Sequence, residues 1–126
     1  MSGEKLIYVF DDDKDLCDTL KITLESRSYK VQCAHDGETG KKMIEKKRPD
    51  LIVLDLKMPK INGYELLNWI KLKSGIGLVP VIVLTSLTKG SRKSDEEWKQ
   101  SMNVEDFITK PFAPMDLLKR VEKLLS

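Results

Sequence analysis

The sequence has few of the residues that bind transition metals or form disulfides. His35 is the only histidine, the only cysteines are Cys17 and Cys33, and no Cys-x-x-Cys pair occurs. These numbers argue against a zinc centre, which needs a cluster of cysteine and histidine ligands. Because both cysteines lie at apolar positions of a predicted helix and a predicted strand, we expect buried, reduced thiols.

Long hydrophobic runs are also missing. The longest, from Leu78 to Leu84, is interrupted by Pro80 and is far too short to cross a bilayer. The N-terminal residues contain no apolar segment of the kind that directs secretion. We therefore expect a cytoplasmic protein that makes no membrane contact.

Neither sign of charge dominates. The 126 residues include 22 basic and 20 acidic side chains, and this net charge of +2 gives no indication of direct nucleic-acid binding. Basic residues are concentrated at 41–42 and 46–48, which form either a solvated helix face or a docking patch for an acidic partner. The length suits one domain with a hydrophobic core, so we expect residues 1–126 to form a single domain.

What the sequence does contain is a regular alternation of short apolar runs and amphipathic segments. The runs predict five strands, at Leu6–Phe10, Val31–Cys33, Leu51–Leu54, Val79–Leu84 and Phe107–Thr109. The segments between and after them predict five helices, beginning near Lys14, Glu38, Asn62, Asp95 and Pro114. Helical spacing predicts core positions at Tyr64, Leu67, Ile70, Met115 and Leu118. Strands that alternate with single helices indicate a parallel sheet with helices on both faces.

Charged residues follow three of the predicted strands directly. Asp11, Asp12 and Asp13 follow the first strand, Asp55 follows the third, and Lys110 follows the fifth. A parallel sheet would bring them to its carboxyl edge, where open α/β sheets build their sites. Ionised carboxylates crowded together repel one another, and a hard divalent cation such as Mg²⁺ removes that penalty.

The same edge suits phosphoryl transfer. A carboxylate such as Asp55 can attack phosphorus and form an aspartyl phosphate. Lys110 offers positive charge to the phosphoryl oxygens, and Thr85, at the end of the fourth predicted strand, offers a hydroxyl. Each residue alone has an ordinary explanation, since acids at strand ends often cap the next helix. Their convergence at one edge is what points to function.

These residues resemble the receiver domain of two-component response regulators over nearly the whole chain. The resemblance is carried by five blocks, at residues 6–13, 50–59, 62–67, 80–86 and 107–112, and its most specific signal is Asp-x-x-Met-Pro with a glycine downstream. It implies a doubly wound, flavodoxin-like α/β fold. That fold would have one five-stranded parallel sheet, in the strand order 2-1-3-4-5, and five helices.

The resemblance implies a phosphoacceptor and a metal site. Asp55 would accept the phosphoryl group. Mg²⁺ would be held by Asp11, Asp12, Asp55 and the backbone carbonyl of Lys57. The donor would be a phosphohistidine on a sensor histidine kinase or a phosphotransfer protein. The chain would catalyse only its own phosphorylation and dephosphorylation, so an enzyme with a separate substrate is not expected.

The resemblance also implies a switch. Thr85 and Lys110 would contact the phosphoryl group, and Lys110–Pro111 would be a cis peptide. Phe107 would turn inward as Thr85 moves toward the phosphate. The surface of the fourth helix, fifth strand and fifth helix would then change shape and bind a downstream protein. We expect either a stand-alone regulator or an isolated receiver domain.

Three other functions fit parts of the pattern. An aspartate-nucleophile phosphatase usually has a second aspartate two residues after the nucleophile, where this chain has Lys57. A flavin-binding module needs a phosphate loop after the first strand, where the acids at 11–13 would repel the phosphate. A receiver-like domain that only binds proteins and is never phosphorylated is the remaining alternative.

Overall fold

Five strands alternate with helices in the computed structural model, which describes residues 4–57, 63–73, 75–85 and 104–126. The strands are β1 (Leu6–Phe10), β2 (Lys30–Ala34), β3 (Leu51–Asp55), β4 (Val81–Thr85) and β5 (Asp106–Thr109). The helices are α1 (Lys14–Glu25), α2 (Gly37–Lys46), α3 (Gly63–Leu72) and α4 (Pro114–Leu125). Helix α4 is the fifth helix of the sequence prediction, because the predicted fourth helix near 95–102 lies outside the described residues.

The strands form one parallel sheet in the order β2-β1-β3-β4-β5. This confirms the predicted doubly wound, flavodoxin-like arrangement. Strands β1, β3 and β4 are buried along their whole length, as expected when helices cover both faces of a parallel sheet. The predicted start of β4 was two residues early, because Pro80 has no N–H and the Val79 N–H donates to Ile76 O at 3.0 Å.

Alternate strand residues supply two hydrophobic cores, one on each face of the sheet. The first core joins the sheet to α2 and α3, and among its members are Tyr8, Phe10, Ile44, Ile52, Leu54, Leu66, Ile70 and Phe107. The second joins it to α1 and α4, and among its members are Val9, Cys17, Leu20, Leu24, Val53, Leu117 and Val121. The sheet is therefore held from both sides, and its carboxyl edge is fixed in position.

Two predicted core positions were wrong. Tyr64 and Met115 are exposed, while Leu66 and Leu117 are buried instead. In α3 the buried stripe runs through Gly63, Leu66, Leu67 and Ile70, so Tyr64 lies just outside it. Cys17 is buried as predicted, and Cys33 is half-buried.

Side-chain caps fix where the first two helices begin. Asp13 accepts a hydrogen bond from Leu16 N at 3.1 Å and caps α1. Asp36 accepts one from Thr39 N at 2.8 Å and caps α2. Asp13 therefore has the capping role that its position also allowed. Among the described residues, no helix has the length and apolar character needed to cross a bilayer.

Candidate functional site

The carboxyl edge of the sheet brings the predicted site residues together. Asp11 follows β1, Asp55 ends β3, Thr85 ends β4 and Lys110 follows β5. One carboxylate oxygen each from Asp11, Asp12 and Asp55 lies within 4.8 Å of the other two. Asp11 is fully buried and Asp55 is 4% exposed, whereas Asp12 is open to solvent. The three acids form a pocket with one side facing water.

Asp11 is held in place through its backbone and one carboxylate oxygen. Its N–H donates to Ala34 O at 3.0 Å, which continues the pairing of β1 with β2. Oδ1 accepts a hydrogen bond from Asp13 N at 2.9 Å. The carbonyl oxygen lies 2.9 Å from His35 Nδ1 and 3.4 Å from Cys17 Sγ. The contact of His35 with Asp11 was not predicted, because it depends on how β2 ends beside β1.

Asp55 has an environment that makes its carboxylate less acidic. Burial raises its pKa to about 6, and the charge of Asp11 adds to the increase. A hydrogen bond from Lys57 N to Oδ1 at 3.1 Å and the Lys110 ammonium, 3.4 Å from Oδ2, partly oppose it. A group with this pKa is mostly ionised at pH 7 and remains able to act as a nucleophile.

Lys110 lies between the two buried carboxylates. Its Nζ is 2.8 Å from Asp11 Oδ2 and 3.4 Å from Asp55 Oδ2. Burial alone would lower the pKa of Lys110, but the two carboxylates outweigh that effect and raise it. The lysine is therefore charged at neutral pH. Its N–H donates to Thr85 O at 2.8 Å, and the predicted cis peptide between Lys110 and Pro111 is confirmed.

The acidic pocket fits a hard divalent cation. Lys110 Nζ pairs with Asp11 Oδ2 at 2.8 Å, so one ammonium faces three carboxylates at this edge. The negative charge that remains is costly in a partly buried position unless a cation compensates it. A set of carboxylate oxygens suits Mg²⁺ rather than a softer metal.

Thr85 and Phe107 lie beside the pocket in buried positions. Thr85 of β4 pairs with Thr109 of β5 at the carboxyl edge of the sheet. Phe107 pairs with Val83, two residues earlier along the same two strands. The side chain of Phe107 packs in the first core, on the α2 and α3 face. Phe107 therefore lies two residues before the sheet edge that Thr85 and Thr109 form. The switching roles of Thr85 and Phe107 stay a prediction.

Gly63 is a site-forming residue whose packing role was not predicted. A Cβ at this position would lie 2.3 Å from Leu56 Cα and 2.6 Å from Asp55 O. The Gly63 N–H donates to Leu56 O at 3.0 Å. The start of α3 therefore rests directly on the backbone of Asp55 and Leu56. The sequence showed a glycine in a turn-forming segment, but a turn alone does not reveal this close approach.

Comparison with known proteins gives one consistent family. A model of the response regulator receiver domain family matches residues 7–122. The alkaline phosphatase synthesis transcriptional regulatory protein PhoP of Bacillus subtilis is 35% identical over 125 residues, which are 96% of this chain and 48% of that protein. The chain thus spans about half the length of the curated relatives that it matches.

Solved structures show the same similarity in three dimensions. The signal receiver domain of a signal transduction histidine kinase from Syntrophus aciditrophicus is 31% identical, with a TM-score of 0.81 over 96% of this chain and 89% of that one. The receiver domain of the Francisella response regulator 1452 is 29% identical, with a TM-score of 0.84 over 97% of each chain.

Proposed function

Because the chain belongs to the response regulator receiver domain family, whose members are signalling modules of two-component systems rather than classical enzymes, we propose that it is controlled by phosphorylation of Asp55. The observation that carries this proposal is the pocket itself. An ionisable, nearly buried carboxylate lies within 3.4 Å of a lysine ammonium and beside two further carboxylates. An acid that only capped a helix would not need such surroundings.

The proposed reaction is a transfer from a phosphohistidine of a sensor kinase or a phosphotransfer protein. An Asp55 carboxylate oxygen attacks phosphorus, and the bond between phosphorus and the histidine nitrogen breaks. That nitrogen keeps the electron pair, and Asp55 becomes an aspartyl phosphate. Lys110 stabilises the charge on the phosphoryl oxygens, and the Thr85 hydroxyl donates a hydrogen bond to one of them.

We propose that Asp11, Asp12, Asp55 and the carbonyl of Lys57 hold Mg²⁺. When bound, the ion supplies positive charge that offsets the carboxylates and the phosphoryl oxygens. The protein's own contribution is to fix the ligands: Asp11 is anchored by the end of β2, and the Lys57 N–H orients Asp55. Asp12, which faces solvent, leaves the pocket open to an incoming phosphoryl group.

The proposed output is a change of surface shape at β5 and α4. Phosphorylation would draw Thr85 and Lys110 toward the phosphate, and Phe107 would follow the threonine. Arg120 on α4 already contacts Asp106 Oδ1 at 2.8 Å and Phe107 O at 3.3 Å, so a shift of β5 reaches α4 directly. We propose that residues 1–126 act as one receiver domain in the cytoplasm. It would signal to a downstream protein without itself contacting nucleic acid.

Intact-mass measurement after incubation with acetyl phosphate tests the proposal. The wild type should gain one phosphoryl group with Mg²⁺ and none without it. Asp55→Asn should gain none. The control Asp13→Asn, which keeps an oxygen that can cap α1 and removes a carboxylate outside the proposed ligand set, should gain it as the wild type does. No gain in the wild type would favour the protein-binding module that is never phosphorylated, and a gain in Asp55→Asn would place the acceptor elsewhere.

A further inference from the structure

The positive charge of the molecule is concentrated on one helix and the residues after it. Residues 37–48 contain five basic and two acidic side chains, so this short stretch alone exceeds the net charge of +2 of the whole chain. Lys42, Lys46, Lys47 and Arg48 are exposed. Helix α3 packs beside α2 over the same core and adds Lys71, which also pairs with Glu105 at 3.7 Å. Lys73 follows the last residue of α3. We call the surface formed by these two helices and the 75–78 turn the α2–α3 face.

The Trp69 ring lies close to two lysines of this face. The ammonium of Lys41 lies 5.2 Å from the centroid of the Trp69 ring, and that of Lys73 lies 5.1 Å from it. Cation–π attraction of this kind holds a lysine near one position, so less side-chain entropy remains to be lost when a partner binds. The ring itself packs against the first core, which fixes this arrangement to the fold.

Two grooves meet at Lys73. One, of about 500 Å³, is lined by Lys41, Glu65, Asn68, Trp69, Leu72 and Lys73. The other, of about 510 Å³, is lined by Arg48, Lys71, Lys73, Gly75, Gly77 and Leu78. Leu72 is 77% exposed and Leu78 is 92% exposed. The face therefore combines several cations with two large apolar side chains that lie in water.

We propose that the α2–α3 face is a docking site for an acidic, amphipathic segment of a partner protein. Carboxylates of the partner would pair with Lys41, Lys73 and Arg48, and its apolar side chains would cover Leu72 and Leu78. Charge complementarity supplies the attraction and the leucines supply buried area, as in helix-in-groove recognition. This site lies on α2 and α3 rather than on α4, although Lys71 also contacts Glu105, just before β5, at 3.7 Å. The proposal does not depend on the phosphorylation proposed above.

The observations favour a protein segment over nucleic acid or a membrane. Trp69 is half-buried and already contacted by two ammoniums, so it is a poor stacking platform for bases. The net charge of +2 gives the whole chain little general attraction for an extended polyanion. The exposed Leu72 and Leu78 offer apolar area that a protein segment can cover.

Fluorescence anisotropy with a defined probe tests the proposal on the unmodified full chain. The probe is a labelled helical peptide of Glu, Ala and Leu, with its leucines one helical turn apart. Lys41→Glu/Lys73→Glu should weaken its binding by at least about tenfold. The matched pair Lys21→Glu/Lys30→Glu, with the same charge change on exposed lysines of α1 and β2, should weaken it by less than about twofold.

A second pair of variants tests the apolar part. Leu72→Ser/Leu78→Ser changes only exposed side chains and should weaken binding of the peptide. The control Ile22→Ser, at a position that is also exposed, should leave this binding unchanged. If both lysine double variants weakened peptide binding equally, the attraction would be non-specific and the proposal would be wrong. Unchanged peptide binding in the leucine double variant would also overturn the proposal. Tighter binding of a single-stranded oligonucleotide or of anionic phospholipid vesicles would replace it with the corresponding partner class.

Discussion

At the scale of single residues, Asp55 has the most perturbed carboxylate of the proposed site. Its carboxylate is nearly buried and faces Asp11, and these two effects raise its pKa to about 6. Lys110 offsets part of the repulsion at 3.4 Å. The proposed acceptor therefore lies in surroundings that disfavour its charged form, and a bound cation would stabilise that form.

Replacing Asp55 with Asn should stabilise the metal-free protein at pH 7. A carboxyl group whose pKa rises from 3.8 to about 6 on folding favours the folded state below pH 4, and this contribution is lost as the pH rises through 6. At pH 7 the neutral amide should therefore raise the free energy of unfolding by about 1 to 3 kcal/mol. Urea unfolding at pH 7 and pH 4 measures it. The gain should shrink at the lower pH, and a variant less stable than wild type at pH 7 would contradict the electrostatic argument.

Lys110→Ala should separate metal binding from the response to phosphorylation. The ammonium is not a metal ligand and lies 2.8 Å from Asp11 Oδ2, so its removal leaves the carboxylates available to Mg²⁺. The proposed contact between the phosphoryl group and Lys110, which directly follows β5, would be lost. NMR shift changes in β5 and α4 on phosphorylation should therefore become smaller. The exposed Lys119→Ala is the control. An undiminished response would remove Lys110 from the mechanism.

At the scale of elements, the sequence predicted the strands from their repeating patterns of apolar residues. It did not predict contacts that depend on how closely two elements approach each other. The apolar runs predicted β1, β3 and β4, because a parallel strand buried on both faces is apolar throughout. The edge strand β2 was predicted from alternation, since Lys30 and Gln32 face solvent. The end of β3 at Asp55 and the start of β4 at Val81 shifted with local hydrogen bonds. The packing of Gly63 on Leu56 could not be predicted, since it is set by where α3 crosses the end of β3.

Gly63→Ala should disturb the site as well as the fold. The added Cβ would meet backbone atoms of Leu56 and Asp55 at 2.3 and 2.6 Å, which cannot move without displacing the acceptor. We expect a loss of at least about 2 kcal/mol in the free energy of unfolding and a reduced yield of phosphorylated protein. Gly40→Ala is the control, because its Cβ meets only the Phe10 ring at 3.3 Å. Equal stability of the two variants would contradict the described contact.

At the scale of the whole molecule, the order of the strands brings residues that are distant in the chain together in one pocket. Asp11, Asp55 and Lys110 are far apart in the chain, and the order β2-β1-β3-β4-β5 places the ends of β1 and β3 side by side. The sequence predicted this convergence because parallel strands share one carboxyl edge. It did not predict that Lys110 lies closer to Asp11 than to Asp55, since that depends on side-chain packing.

Mg²⁺ should therefore stabilise the whole fold. At ten times its Kd, a ligand that binds only the folded state adds about 1.4 kcal/mol, or about 3 to 6 °C in Tm for a domain of this size. Differential scanning fluorimetry at constant ionic strength measures the shift. Asp12→Asn, at an exposed position, should reduce it, and the control Asp13→Asn should keep it. An equal shift in both variants would exclude Asp12 as a ligand.

Locating the phosphoryl group in the chain tests the central claim most directly. After labelling with acetyl phosphate and Mg²⁺, borohydride reduces an aspartyl phosphate to homoserine, and peptide mass spectrometry identifies the reduced position. We predict homoserine in place of Asp55, with Asp11, Asp12 and Asp13 unchanged. Reduction at any of those three aspartates in place of Asp55, or no reduced residue in a labelled protein, would contradict the account.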